Sequence, residues 1–169
     1  NTATKTIIIK VEQKPEGYVA REEVDALADQ ILASIIKEGM TEREKAKEIY
    51  RWTKSNIGYI NSSEKSDWLK AAYQGFKKAR GDCYVYFSTA QALLNRAGIE
   101  NQGVTKTGGG HYWSMVNIGD GWYHFDTTPR KGDKDFYSLF MLTDGKLQAY
   151  SKRNGKSHIW DQSKYPATP

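Results

Sequence analysis

Arg80-Gly81-Asp82-Cys83-Tyr84-Val85-Tyr86-Phe87 is the stretch on which the reading of this chain turns, because it holds the one cysteine among 169 residues. Gly81-Asp82 interrupts whatever precedes it. From Val85 to Ala97 the apolar residues Phe87, Ala90, Leu94 and Ala97 recur at spacings of three and four, a helical period, and Gly98 is a stop signal. Cys83 therefore falls at or just before the first turn of a buried helix. The unpaired N–H groups and positive dipole end found there favour a thiolate, which is the attacking form of cysteine. A free cysteine is more often a small buried hydrophobe, so Cys83 alone decides nothing.

Two later stretches supply what a thiol nucleophile needs. Gly108-Gly109-Gly110-His111-Tyr112-Trp113-Ser114-Met115-Val116 sets a histidine at the head of a strand-like run. Gly121-Trp122-Tyr123-His124-Phe125-Asp126-Thr127-Thr128-Pro129 ends a second such run with an aspartate. Cysteine, histidine and aspartate then stand in order on a helix start and two consecutive strands. Those are a nucleophile, a base to take its proton and a group to orient the base.

The region from Glu44 to Pro129 resembles the transglutaminase-like superfamily, whose papain-like fold serves transglutaminases, bacterial cysteine peptidases and peptide N-glycanases. The resemblance is carried by Gly81-Asp82-Cys83-Tyr84, Leu93-Leu94-Asn95-Arg96-Ala97-Gly98-Ile99, His111-Tyr112-Trp113 and Gly121-Trp122-Tyr123-His124-Phe125-Asp126, in family-like order. Ala46 to Thr53 and Asn56-Ile57-Gly58-Tyr59 look like the family's lead-in helix. Animal transglutaminases have Trp after the cysteine where this chain has Tyr84. They also carry calcium sites and extra β domains, for which 169 residues leave no room.

The resemblance implies an α+β fold in which N-terminal helices and a nucleophile helix pack on an antiparallel sheet. It implies cysteine-dependent hydrolysis or acyl transfer on peptide or amide substrates through a thioester, with Cys83, His111 and Asp126 as the triad. Peptidase or amidase activity is the leading expectation. Protein cross-linking and a non-catalytic binding module are the alternatives. Gln74 and Tyr73, on the segment delivering the chain to Cys83, are candidates for the oxyanion hole. Tyr84 and Trp113 are candidates for the substrate groove. By the same resemblance, Asp126→Asn should keep the fold and lose less activity than Cys83→Ala, because papain-like enzymes use Asn in that place.

Composition narrows the partners. A net charge of +5 is spread over short groups such as Lys77-Lys78-Ala79-Arg80 and Arg130-Lys131, with no stripe for nucleic acid. A mean hydropathy of −0.72 excludes a membrane span within the chain. One cysteine excludes an internal disulfide. Three histidines and one cysteine without ligand spacing predict no metal, and no cofactor is expected. A protein, peptide or cell-wall peptide substrate and a monomeric state are expected. The chain opens on Asn1 rather than Met and so reads as a trimmed or a mature product, with any signal peptide or anchor outside it, and a secreted, bacterial, extracellular or cell-surface protein is expected.

The remaining elements follow from pattern. One domain is expected over 1–169, with its core at 44–129 and a tail from 151 to 169 packed upon it. Thr6–Val11 reads as a strand and Lys14-Pro15-Glu16-Gly17 as a turn. Glu22–Lys37 reads as a helix with Val24, Leu27, Ala28, Ile31 and Ile35 inward. Thr41-Glu42-Arg43-Glu44 is a capping box for a helix to about Asn56, with Ala46, Ile49, Tyr50 and Thr53 inward. Asp67–Gln74 reads as a short helix, Asn101–Thr107 and Asp133–Leu142 as strands, and Thr143-Asp144 as the start of a helix to Tyr150. The runs Tyr112–Ile118 and Trp122–Asp126 form a hairpin. An even-numbered connection is required to put His111 and Asp126 on one face, with a wider loop or a bulge to close the register between them. His124, inside a strand, is assigned a structural role, and His158 a place on the surface. Trp160, Tyr165 and Pro166 should anchor the tail.

Overall fold

In a computed structural model, residues 14–63 and 65–169 are described. The strand expected at Thr6–Val11 lies outside them. The helices are α1 (Arg21–Ile35), α2 (Glu42–Asn56), α3 (Trp68–Lys78), α4 (Cys83–Arg96) and α5 (Asp144–Arg153). A short parallel pair joins β1 (Gly58–Tyr59) to β2 (Arg80–Gly81). An antiparallel sheet runs in the order β3 (Glu100–Thr105), β4 (Tyr112–Asn117), β5 (Trp122–Phe125), β6 (Phe140–Leu142).

Helix α4 is the axis of the molecule. It buries residues around most of its circumference, including Val85, Tyr86, Thr89, Ala90, Leu93 and Leu94. On one side it meets Ala28, Leu32 and Ile35 of α1 and Ile49 and Tyr50 of α2, and this cluster closes on Val116, Phe125 and Met141 of the sheet. Helix α2 begins as its sequence demands. Thr41 Oγ1 accepts from the Glu44 N–H at 3.2 Å and the Glu44 carboxylate accepts from the Thr41 N–H at 2.8 Å. All four residues expected to face inward from α2 are buried.

The opposite face of the sheet is covered as well. Val104, Trp113 and Met115 pack there against Leu147 and Tyr150 of α5 and Trp160 of the tail. Odd-numbered residues of β4 thus face α5 and the tail, while Val116 faces the helices.

Two readings change. Helix α3 does not stop at Gln74 but continues to Lys78, passing through a buried Gly75. A Cβ on Gly75 would lie 2.0 Å from Thr89 Oγ1, so the glycine allows α3 to press on α4 rather than ending the helix. Only Phe140–Leu142 of the expected 133–142 strand is a strand. Its acidic residues hold the preceding segment in turns instead. Asp133 accepts from Ser138 Oγ at 2.7 Å and Tyr150 Oη at 2.8 Å, and Asp135 accepts from the Tyr137 N–H at 2.9 Å.

The hairpin has the even connection. Asn117 pairs with Trp122 and Met115 with His124 across residues 118–121. Carried one step further, this register sets Asp126 opposite Trp113 and diagonal to His111. Diagonal neighbours stand about 7–8 Å apart, within reach of an imidazole.

Candidate active site

Asp82 fixes the start of α4. Its carboxylate accepts from the Tyr84 N–H at 3.0 Å, from Lys65 Nζ at 2.6 Å and from Ser63 Oγ. Burial would raise its carboxyl, but Lys65, Ser63 and the Tyr84 N–H outweigh that and hold it below the usual range. This cap leaves Cys83 as the first residue of the helix, buried but opening on a cleft of about 590 Å³. His111, Tyr59, Thr128 and Arg130 share the wall of that cleft.

His111 Nε2 lies 2.7 Å from Asp126 Oδ2. That leaves Nδ1 for the thiol side. Burial alone would lower the His111 ring, but the charge and hydrogen bond of Asp126, together with Cys83 beside it, raise it to about 9. The Trp113 ring stacks on the imidazole with centroids 5.8 Å apart, which limits its rotation. Beside the cleft, Gly110 has φ +83°, a conformation that costs glycine little and leaves that wall without a side chain.

Asp126 is fully enclosed and accepts on both oxygens. The Thr128 N–H donates to Oδ1 at 2.9 Å, and His158 Nε2 joins His111 Nε2 on Oδ2, at 2.8 Å. Burial would raise this carboxyl, and the two imidazoles outweigh it, holding it well below the carboxylate range. The expectation that His158 lies on the surface is therefore corrected. It is 1% exposed, and its Nδ1 stands 2.9 Å from Ser157 Oγ. Burial lowers its ring despite Asp126, so it serves as a neutral donor.

His124 is occupied at both nitrogens. Nδ1 accepts from the Trp113 indole N–H at 3.0 Å and Nε2 lies 2.9 Å from Asp144 Oδ1. An indole can only donate, so the His124 proton is on Nε2. The ring does not line the cleft.

The candidates for the oxyanion hole and groove are displaced. Gln74 spends its amide on the Arg80 carbonyl at 2.8 Å and lines a different hollow from that of Cys83. Tyr73 packs with Val24 and Ala92 on the α1 side. Tyr84 sets its ring edge-on to Tyr112 at 4.9 Å, and Trp113 is buried behind His111, so neither lines the cleft. Tyr59 stands in their place. It is 48% exposed and stacks on Tyr86. The signal for it was the Asn56-Ile57-Gly58-Tyr59 lead-in, which returns to Cys83 through the pairing of β1 with β2.

Among the described residues, His111, Asp126 and His158 have donor atoms within 4.8 Å of one another, the spread of a metal site. Sequence spacing gave no sign of this group, because His158 comes from the tail. Both imidazole nitrogens that approach Asp126 do so at hydrogen-bond distance. Among the described residues no helix is long and apolar enough to cross a membrane. A second hollow of about 720 Å³ between α5 and the tail holds neither Cys83 nor His111.

Comparison with curated proteins returned no match. Among solved structures, the chain is similar to a proposed cysteine protease from Cytophaga hutchinsonii, with 21% identity and a TM-score of 0.51 over 68% of this chain and 41% of that one. It is also similar to a TGase, with 19% identity and a TM-score of 0.57 over 72% of this chain and 36% of that one. The chain thus spans about two fifths of the length of either, and the likeness carries the fold. The profile of the transglutaminase-like superfamily matches residues 29–127, more than half of the chain, from within α1 to just past Asp126. This protein therefore belongs to the transglutaminase-like superfamily.

Proposed function

We propose that this chain is a cysteine-dependent amide hydrolase of the peptidase or amidase kind, with Cys83 as nucleophile, His111 as base and acid, and Asp126 as the group that orients the imidazole. Family membership supports cysteine-dependent enzymatic activity in general. One observation carries the finer reading. His111 bonds Asp126 through Nε2 at 2.7 Å and opens, with Cys83, on one cleft.

The chemistry follows from those positions. The Cys83 thiolate attacks the amide carbonyl, the C–N bond breaks, and His111 gives its proton to the leaving amine. Water then adds to the thioester, its proton passes to His111, and the C–S bond breaks to return the thiolate and a carboxylic acid. Asp126 keeps the ring in one tautomer throughout. A peptide, including a cell-wall peptide outside the cell, is the substrate this reading favours.

Alkylation by iodoacetamide at pH 7 tests the assignment without a known substrate. His111→Ala should slow alkylation of Cys83 by about tenfold or more, and Cys83→Ala should take up no label. In digests of a peptide-amide library both variants should be inactive, with amine acceptors reporting any acyl transfer. Equal alkylation rates with and without His111 would overturn the pairing.

A further inference from the structure

Two polar atoms of residues that line the cleft have no partner among the described residues. They are Nε of Arg130 and Oγ1 of Thr128, both shielded from solvent. A buried donor without a partner is costly and calls for an explanation. Arg130 is half-buried with its Nε enclosed, it lines the cleft together with Cys83 and His111, and its charge bears on Tyr59 and His158.

The surroundings do not neutralise it. Lys106 and Lys131 line the same cleft, and no Asp or Glu does. The nearby acids are committed elsewhere: Asp126 to two imidazoles, Asp82 to Lys65 and Ser63, and Asp133 to Tyr150 and Ser138. No ion pair reaches Lys106, Arg130 or Lys131 among the described residues. A planar guanidinium, a hydroxyl and two lysines lining one cleft suit a carboxylate, which the guanidinium can take through two parallel N–H donors.

We propose that the cleft selects substrates bearing a carboxylate next to the scissile amide, received by Arg130 and Thr128 with Lys106 and Lys131 drawing it in. This rests on Cys83 being the nucleophile. The carboxylate belongs either to an acidic side chain or to a chain terminus, and the two share one chemistry.

Four bromoacetyl probes separate the possibilities: bromoacetyl-Glu-amide, bromoacetyl-Gln-amide, bromoacetyl-Ala acid and bromoacetyl-Ala-amide. Each forms a C–S bond to Cys83 with loss of bromide, and each pair differs by a carboxylate alone. One acidic probe should react at least roughly fivefold faster than its neutral twin, an advantage that falls with added salt. Arg130→Gln should remove most of it, Arg130→Lys should keep part, and Lys152→Gln, an equal loss of charge outside the cleft, should leave it intact. The pair that responds names the source of the carboxylate. If neutral probes label Cys83 readily but neither acidic probe is favoured, or if Arg130→Gln keeps the advantage, the inference fails and the nucleophile assignment stands. If no probe labels Cys83 faster than it labels the unfolded chain, the assignment of function fails.

Discussion

Asp126→Asn is the most informative single change, because the amide cannot reproduce what the carboxylate does. Asp126 accepts at Oδ2 from two imidazoles and at Oδ1 from the Thr128 N–H. Place the amide oxygen at Oδ2, and the NH2 meets the Thr128 N–H. Place it at Oδ1, and the NH2 meets both ring nitrogens, driving the His111 proton to Nδ1, where it blocks acceptance of the thiol proton. The double use of the carboxylate therefore predicts a larger loss than the amide of papain-like enzymes suggests. Turnover and Cys83 alkylation should fall by roughly 10²-fold or more, as expected when a triad histidine is held in the wrong tautomer.

The same variant changes the pH dependence of stability. His111 titrates at about 9 in the fold against 6.5 for the free group. A raised value of this kind adds stability that is fully present below 6.5 and is lost as pH rises through about 9. The difference corresponds to about 3 kcal/mol. Asp126 itself titrates well below 3.8, outside that window. Urea unfolding at pH 6.5 and pH 9.5 should therefore show the parent losing about 3 kcal/mol more than Asp126→Asn. Equal losses would refute the idea that Asp126 holds His111 as an imidazolium.

Two further changes separate structure from chemistry. His124→Ala should retain alkylation by iodoacetamide while losing about 2–4 kcal/mol of stability, read by urea unfolding, since it empties a buried site and orphans the Trp113 N–H. Gly75→Ala would gain about 0.5–1 kcal/mol on an exposed helix, but here its Cβ meets Thr89 Oγ1 and Val85. It should cost about 1–3 kcal/mol instead, visible as a lower melting temperature.

What the sequence made legible is what depends on short spacing. The Thr41–Glu44 box, the inward face of α2, the start of α4 at Cys83 and the even hairpin connection are all set within a few residues, and all stand in the fold. Features that depend on distant partners are not legible. Gln74 lies on the segment that delivers the chain to Cys83, but its amide is taken by the Arg80 carbonyl. The 133–142 run alternates like a strand, yet local acceptors on Asp133 and Asp135 outcompete the ladder. His158 sits in a polar stretch that suggests exposure, yet the residue is buried. Trp160 was nevertheless expected to anchor the tail. In extended chain, residues two apart share a face, so that anchor already implied an inward His158.

The position of His158 explains why the site draws on the tail. Parity sets His111, Trp113, Met115 and Asp126 toward the face of the sheet that α5 and the tail cover. A carboxylate buried there needs donors on both oxygens. The hairpin supplies His111, and the turn after β5 supplies the Thr128 N–H. Neither strand can offer a further donor, because Trp113 and His124 are bound to each other. The third donor comes from the layer above, where His158 closes the carboxylate from the tail side while Ser157 occupies its other nitrogen. The hairpin and the tail therefore meet at one aspartate, and His158, from beyond the family match at 29–127, shares the carboxylate that holds the His111 ring.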